Sequence, residues 1–135
     1  MTEDDISRVV LDAAFKVHTA LGPGLLESVY EIALAHEVRK KGLPVERQVP
    51  IPIIYDGIKF EEGFRADLMV DGLVIVELKA IEQLTKVHTK QLLTQLRLSN
   101  KRLGLLLNFS AMRLKEGLVR VVNGLPSRHD EPITL

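Results

Sequence analysis

The stretch Phe64-Arg65-Ala66-Asp67-Leu68-Met69-Val70-Asp71-Gly72-Leu73-Val74-Ile75-Val76-Glu77-Leu78-Lys79 decides how this chain is read. Two runs rich in apolar residues flank Asp71-Gly72, a pair that favours tight reversals, so the segment is expected to form a β-hairpin. A strict two-residue turn would pair Val70 with Leu73 and Ala66 with Glu77, mixing polar and apolar residues on both faces. A slip of one residue, through a three-residue loop or a bulge, pairs Val70 with Val74, Ala66 with Leu78 and Asp67 with Glu77. One face then gathers Phe64, Ala66, Leu68, Val70, Val74, Val76 and Leu78, while the other carries Arg65, Asp67, Glu77 and Lys79. Because a one-residue slip turns every side chain to the opposite face, the hydrophobic pattern selects the second register.

That register sets two carboxylates side by side with a lysine next to them. Opposed carboxylates repel unless a proton or cation lies between them. Oxygen donors without His or Cys nearby suit a hard divalent ion, Mg²⁺ or Mn²⁺, which keeps several waters and accepts phosphate oxygens. Such an ion polarises a phosphoryl group and lowers the pKa of a bound water. Lys79 would then orient the attacking water or neutralise charge on the phosphate. Spacing alone leaves an inert Asp–Lys–Glu network on a solvated sheet face equally open, since E-x-K recurs by chance.

Upstream, Ile6, Val9, Val10, Ala13, Ala14, Val17 and Leu21 recur at helical spacing. Thr2 with Asp5 offers an N-terminal cap, and Gly22-Pro23-Gly24 ends the helix. A second helix is expected over residues 25–41, with Leu26, Val29, Tyr30, Ala33 and Val38 as its apolar positions and Gly42 as its stop. Residues 48–55 and 58–70 read as strands about an Asp56-Gly57 turn, followed by a strand over 73–79. A third helix is expected over 82–99 with Leu92, Leu93 and Leu96 inward, then strands over 103–109 and 117–122. The order is helix, helix, three antiparallel strands, helix, strand, strand: an α/β sandwich whose sheet is covered by helices.

Composition bounds the rest. With 135 residues, no repeat and no linker, the chain is expected to be a single domain over 1–135. No Cys is present, which excludes a disulfide scaffold, a thiol nucleophile and Cys-ligated metal sites. The acidic start, Met1 to Asp5, is followed by no apolar signal core, and no apolar run is long enough to span a bilayer. A cytoplasmic protein without membrane contact is the expectation. The zero net charge conceals a split: 14 acidic and eight basic residues up to Leu78, four acidic and ten basic from Lys79 onward. An acidic partner met by the second half would use this split, although a solvated helix face and basic tail account for it as well. With four Phe, two Tyr and no Trp, a stacking platform for single strands is not expected. No Zn ligand cluster and no G-x-x-x-x-G-K-[ST] loop is present, which excludes a zinc hydrolase and a P-loop kinase.

Gly24-Leu25-Leu26-Glu27-Ser28-Val29-Tyr30 has the form G-x-x-E-x-x-Y. Together with His18 in AFKVHTALGPG, with FRADLMVDGLVIVELKA and with HTKQLLTQLRL, it makes the chain resemble the small GxxExxY family of the PD-(D/E)XK nuclease superfamily, from about Asp12 to Asn123. The resemblance implies a restriction-endonuclease-like α/β core of the order α-β-β-β-α-β, here with an extra N-terminal helix and a short C-terminal strand. It implies that Asp67, Glu77 and the backbone carbonyl of Leu78 ligate the metal, that Lys79 is the catalytic lysine, and that Glu27 reaches the metal directly or through water. It also implies that Gln91 lies near the metal or the substrate phosphates. Related nucleases often carry Q-x-x-x-Y there, whereas this chain has Gln95 in place of the aromatic hydroxyl.

The remaining polar residues have plain readings. Without the resemblance, Glu27 reads as a surface carboxylate. Tyr30 falls on the apolar stripe and is expected to pack in the core with its hydroxyl bonded nearby, and His18 to be a hydrogen-bonded structural residue. His88, Gln91 and Gln95 share one helical face flanked by Lys86 and Lys90. With Arg97, Lys101 and Arg102, and with Arg113, Lys115 and Arg120 extending the patch, this surface suits a phosphate backbone; an ordinary exposed face suits it nearly as well. The functional expectation is a metal-dependent nuclease acting on nucleic acid, DNA first. The alternatives are a non-catalytic nucleic-acid- or protein-binding module on the same fold and a homodimeric resolvase of branched DNA.

Overall fold

A computed structural model describes residues 1–125; residues 126–135, the end of the expected single domain, lie outside the described residues. Helix α1 spans Glu3–Leu21, α2 Glu27–Lys40 and α3 Lys86–Ser99. Strands β1 (Val45–Tyr55), β2 (Ile58–Val70), β3 (Val74–Lys79), β4 (Leu103–Asn108) and β5 (Leu118–Val122) form one five-stranded sheet in that spatial order. All neighbours are antiparallel except β3 and β4, which run parallel because α3 carries the chain across between them. This is the expected α-β-β-β-α-β core with α1 before it and β5 after it. A short 3₁₀ turn at Leu114–Gly117, which the sequence reading did not anticipate, precedes β5.

The sheet separates two apolar cores. On one face α1 and α2 bury Ile6, Val10, Tyr30, Leu34 and Val38 against Leu68, Val70, Val74, Val76 and Leu78. On the other, Leu84, Leu92 and Leu96 from α3 and its approach pack on Ala66, Met69, Ile75 and Leu106. Strands β3 and β4, covered on both sides, are accordingly near-continuous runs of buried apolar residues. Gly104 belongs to this arrangement through its missing side chain, since a Cβ there would lie 3.0 Å from the Leu92 side chain. No helix of the described residues is long and apolar enough to cross a membrane.

The hairpin register is the one selected by the hydrophobic pattern. Val70 pairs with Val74, Met69 with Ile75 and Leu68 with Val76, around a three-residue loop in which Asp71 and Gly72 take φ values of 52° and 65°. One part of the expected face assignment is corrected. Phe64 and Ala66 pack with Met69 and Ile75 in the α3-side core, while Leu68 and Val70 lie in the other. The same change of face occurs on β1, where Val45 lies in the first core and Val49 and Ile51 in the second. Both switches fall at the rung between Gln48 and Asp67, which is missing between the Arg47–Leu68 and Val49–Ala66 pairs; the register shifts separately, further along, between Ile51 and Ile53. On β1 the backbone cause is Gln48, whose φ of 52° breaks the alternation of side chains there.

Helix α2 is rotated relative to the expected stripe. Tyr30, Leu34, Ala35 and Val38 are buried, but so is Glu31, whereas Leu26 is 75 % exposed and Val29 39 %. Helix α3 begins at Lys86 rather than Glu82 because Thr85 caps it, donating its N–H to His88 Nδ1 at 3.0 Å. The segment before it is held by Asn108, whose side chain accepts from Ile81 N–H at 3.2 Å and donates to Ile81 O at 2.9 Å. His88, read from sequence as part of a polar-basic surface, is therefore a capping residue.

Candidate active site

The β2–β3 ladder stops after the Leu68–Val76 rung, and side chains take over where backbone carbonyls would continue it. Glu77 Oε1 accepts from the backbone N–H of Asp67 at 3.1 Å, and Asp67 Oδ2 accepts from the backbone N–H of Leu78 at 2.9 Å. The two carboxylates thus clasp the strands one rung beyond the regular hairpin, leaving their other lone pairs unused by these bonds. Asp67 is half-buried and Glu77 only 8 % exposed.

Helix α2 brings two further acids. Glu27 and Glu31 lie one turn apart and so share a helix face. Glu31 is buried and accepts from Arg47 twice through one oxygen, from Nε at 3.0 Å and Nη2 at 2.8 Å. Its other oxygen accepts from Gln48 Nε2 at 2.5 Å, and the same nitrogen reaches Asp67 Oδ1 at 3.3 Å. Glu27 sits at the rim, within the fields of Asp67, Lys79 and Glu31 and of the Ala80 backbone N–H.

Electrostatics follow from this crowding. Burial, then the charge of Asp67, pushes Glu77 up to about 8, against the pull of the Asp67 N–H and the Lys79 ammonium. Asp67 is raised by burial first, opposed by its bond from Leu78 and reinforced by the charge of Glu31. Glu27 is raised by burial and by Asp67, with Lys79 opposing. Four carboxylates (Glu27, Glu31, Asp67, Glu77) face two cations (Arg47, Lys79), an excess of two negative charges when all are ionised. An all-oxygen donor set with that deficit fits a hard divalent ion. Among the described residues no three His, Cys, Asp or Glu side chains close into a ready cage. An ion that retains its waters needs only one or two carboxylates.

The structure therefore brings Asp67, Glu77 and Leu78 into direct hydrogen-bonded contact, and Glu27 and Lys79 into their field. It does not join Gln91 to them: Gln91 is exposed on α3 and lines a separate hollow of about 450 Å³ with Phe64, Val87, Lys90, Thr94 and Gln95. Lys86, Lys90 and Arg97 are exposed along the same helix, with Arg102 exposed and Lys101 half-buried beyond its end. Arg120 is corrected out of the surface patch, being buried with its Nη2 2.7 Å from Asp4 Oδ1. Tyr30 and His18 are structural, as expected. The Tyr30 hydroxyl donates to Gly22 O at 2.6 Å and accepts from Leu25 N–H at 3.0 Å, and His18 Nε2 lies 2.8 Å from Ala111 O. Sequence reasoning missed Glu31, Arg47 and Gln48. The Glu27–Glu31 spacing was the available signal for the first; nothing in the residue types marked the other two.

Residues 4–121 match the PD-(D/E)XK nuclease superfamily. No curated protein and no solved structure gives a significant match. Since the match runs from the first turn of α1 into β5 and so takes in every strand of the sheet, the chain belongs to the PD-(D/E)XK nuclease superfamily.

Proposed function

We propose that this chain is a divalent-metal-dependent nuclease that hydrolyses phosphodiester bonds, with DNA as substrate. The observation that carries the reading is the clasp of Asp67 and Glu77 at the point where β2 and β3 part, with Lys79 following on the same strand. Superfamily membership supports it, because these nucleases usually employ divalent metals.

Asp67, Glu77 and the Leu78 carbonyl would hold Mg²⁺ or Mn²⁺, with Glu27 contributing directly or through water. When bound, the ion supplies Lewis-acid polarisation of the phosphate and a lowered pKa for water. Lys79, whose side chain shares the Glu77 face of β3, orients the attacking water and offsets the negative charge that builds on the phosphate. Backbone N–H groups hold one oxygen of each carboxylate, Asp67 Oδ2 and Glu77 Oε1, so both side chains are kept at the point where the strands part. Lys86, Lys90 and Arg97 on the exposed side of α3, with Lys101 and Arg102 beyond it, supply salt-sensitive contacts to flanking phosphates, and Gln91 among them is assigned to the same role.

The test is cleavage of double- and single-stranded DNA with Mg²⁺ or Mn²⁺ by the full chain, and by Asp67→Ala and Lys79→Ala. Cleavage should require the metal and fall by about 10²–10³-fold or more in each variant while the far-UV spectrum is retained. Metal-dependent cleavage that survives Asp67→Ala at wild-type rate would overturn the reading.

A further inference from the structure

We infer that Gln48 is a positioning residue of this site, an amide strut that fixes the plane of the Asp67 carboxylate and couples it to the buried Glu31–Arg47 pair. The inference rests on the proposed metal site and concerns what holds that site in shape.

Gln48 has φ of 52°, a left-handed conformation that carries a steric cost for a residue with a Cβ and is ordinarily left to Gly, Asn or Asp. Burial does not hold it there, because the residue is exposed. Both flanking rungs of the β1–β2 ladder are formed, Arg47 with Leu68 and Val49 with Ala66, so only the Gln48–Asp67 rung is given up. What the distortion gains is the placement of one nitrogen. Gln48 Nε2 has two hydrogens, and it reaches Glu31 Oε1 at 2.5 Å and Asp67 Oδ1 at 3.3 Å.

The consequence lies in the Asp67 carboxylate. Its Oδ2 is held by the Leu78 N–H and its Oδ1 by Gln48, one donor from each neighbouring strand. A carboxylate fixed at both oxygens cannot rotate, so each keeps its remaining lone pair in a set direction. Glu31, tied by Arg47, anchors the far end of the strut. Local backbone strain used to hold a functional group is a recurring device, and partners of this kind typically alter metal affinity tenfold to a hundredfold when removed.

Two variants separate the amide from the backbone. Gln48→Gly relieves the left-handed strain and removes the side chain; Gln48→Met keeps chain length and strain but removes both donors. Mn²⁺ binding to the full chain is measured by titration calorimetry, alongside thermal melting and DNA-cleavage kinetics. Melting should stay within a few degrees of wild type for Gln48→Gly, while the Mn²⁺ Kd rises about tenfold or more in both variants. kcat should fall with KM for DNA little changed. Wild-type Mn²⁺ affinity in either variant overturns the inference even where Asp67→Ala abolishes binding. A wild-type chain that binds no Mn²⁺ overturns the site reading and this inference with it.

Discussion

Asp67 and Glu77 exchange backbone for side chain: the N–H of Asp67 enters the carboxylate of Glu77 at 3.1 Å, while Asp67 takes the N–H of the residue after Glu77 at 2.9 Å. Each carboxylate is thereby brought close to the other and removed from much of its water. The cost of that closeness appears as proton affinity, and it governs the first prediction.

Glu77 has its proton affinity raised to about 8 in the folded chain against an ordinary 4.5, and Asp67 and Glu27 shift in the same direction. Between those two values the folded state retains a proton that the unfolded state has lost, so stability must fall as pH rises from about 4.5 to about 8. One proton corresponds to a limit of about 1.4 kcal/mol per pH unit. Metal-free protein should melt at a lower temperature at pH 8 than at pH 5.5, and Mn²⁺ should restore part of the loss. Glu77→Gln should flatten the profile and raise the pH 8 melting temperature while removing Mn²⁺ binding. A melting temperature that climbs from pH 5.5 to 8 in chelator would contradict the assignment.

Arg47 and Glu31 support the site from behind. Removing the guanidinium by Arg47→Ala leaves the buried Glu31 carboxylate with Gln48 as its one remaining side-chain donor among the described residues. Breaking a fully buried ion pair costs roughly 3–5 kcal/mol, but the Arg47 side chain is 37 % exposed. We expect about 1–3 kcal/mol after that discount for solvent, read from urea denaturation. Adding Glu31→Gln to Arg47→Ala should recover part of the loss, because the unpaired charge is then gone. No recovery would mean that packing by the arginine stem, rather than charge, is what the site requires.

How much of this was legible in the sequence differs from element to element. Alternation of apolar residues around Asp71-Gly72 was enough to choose the register that brings Asp67 to Glu77, because the wrong register would have buried charges. Alternation could not show the change of face at this rung, since on β1 it comes with the left-handed φ of Gln48, and glutamine carries no turn signal. Helix α2 departs from its expected stripe for a related reason. Its buried arc contains Glu31, a residue that periodicity counts as polar, while Leu26 and Val29 face outward. A buried charge satisfied by a partner sixteen residues away is invisible to any local pattern.

Gly104 offers a control that leaves the carboxylates alone. A methyl group there would meet three atoms of the Leu92 side chain at 3.0 Å, so that side chain would have to give way by a few tenths of an ångström against β4. Overpacking of this kind costs about 1–3 kcal/mol, so Gly104→Ala should lower stability by that amount in chemical denaturation. Mn²⁺ binding at a temperature where the variant is folded should remain within a factor of about two of wild type, a change of under about 0.5 kcal/mol. Loss of binding alongside would tie the metal site to the seating of α3.

Tyr30 links the G-x-x-E-x-x-Y stretch to the site through the backbone rather than through chemistry. Its ring stacks on Phe109 with centroids 4.6 Å apart, and its hydroxyl holds both ends of the turn from Gly22 to Leu25. That turn sets where α2 begins, and Glu27 is the first residue of α2. Tyr30→Phe keeps the stack and leaves a part-buried N–H and C=O without the hydroxyl, a loss of about 1–3 kcal/mol. The variant should melt several degrees lower and bind Mn²⁺ more weakly by a small factor, since Glu27 would lose its fixed starting point. Activity should be reduced but present, in contrast to Asp67→Ala. Complete loss of cleavage in a folded Tyr30→Phe protein would instead place the hydroxyl itself in the chemistry.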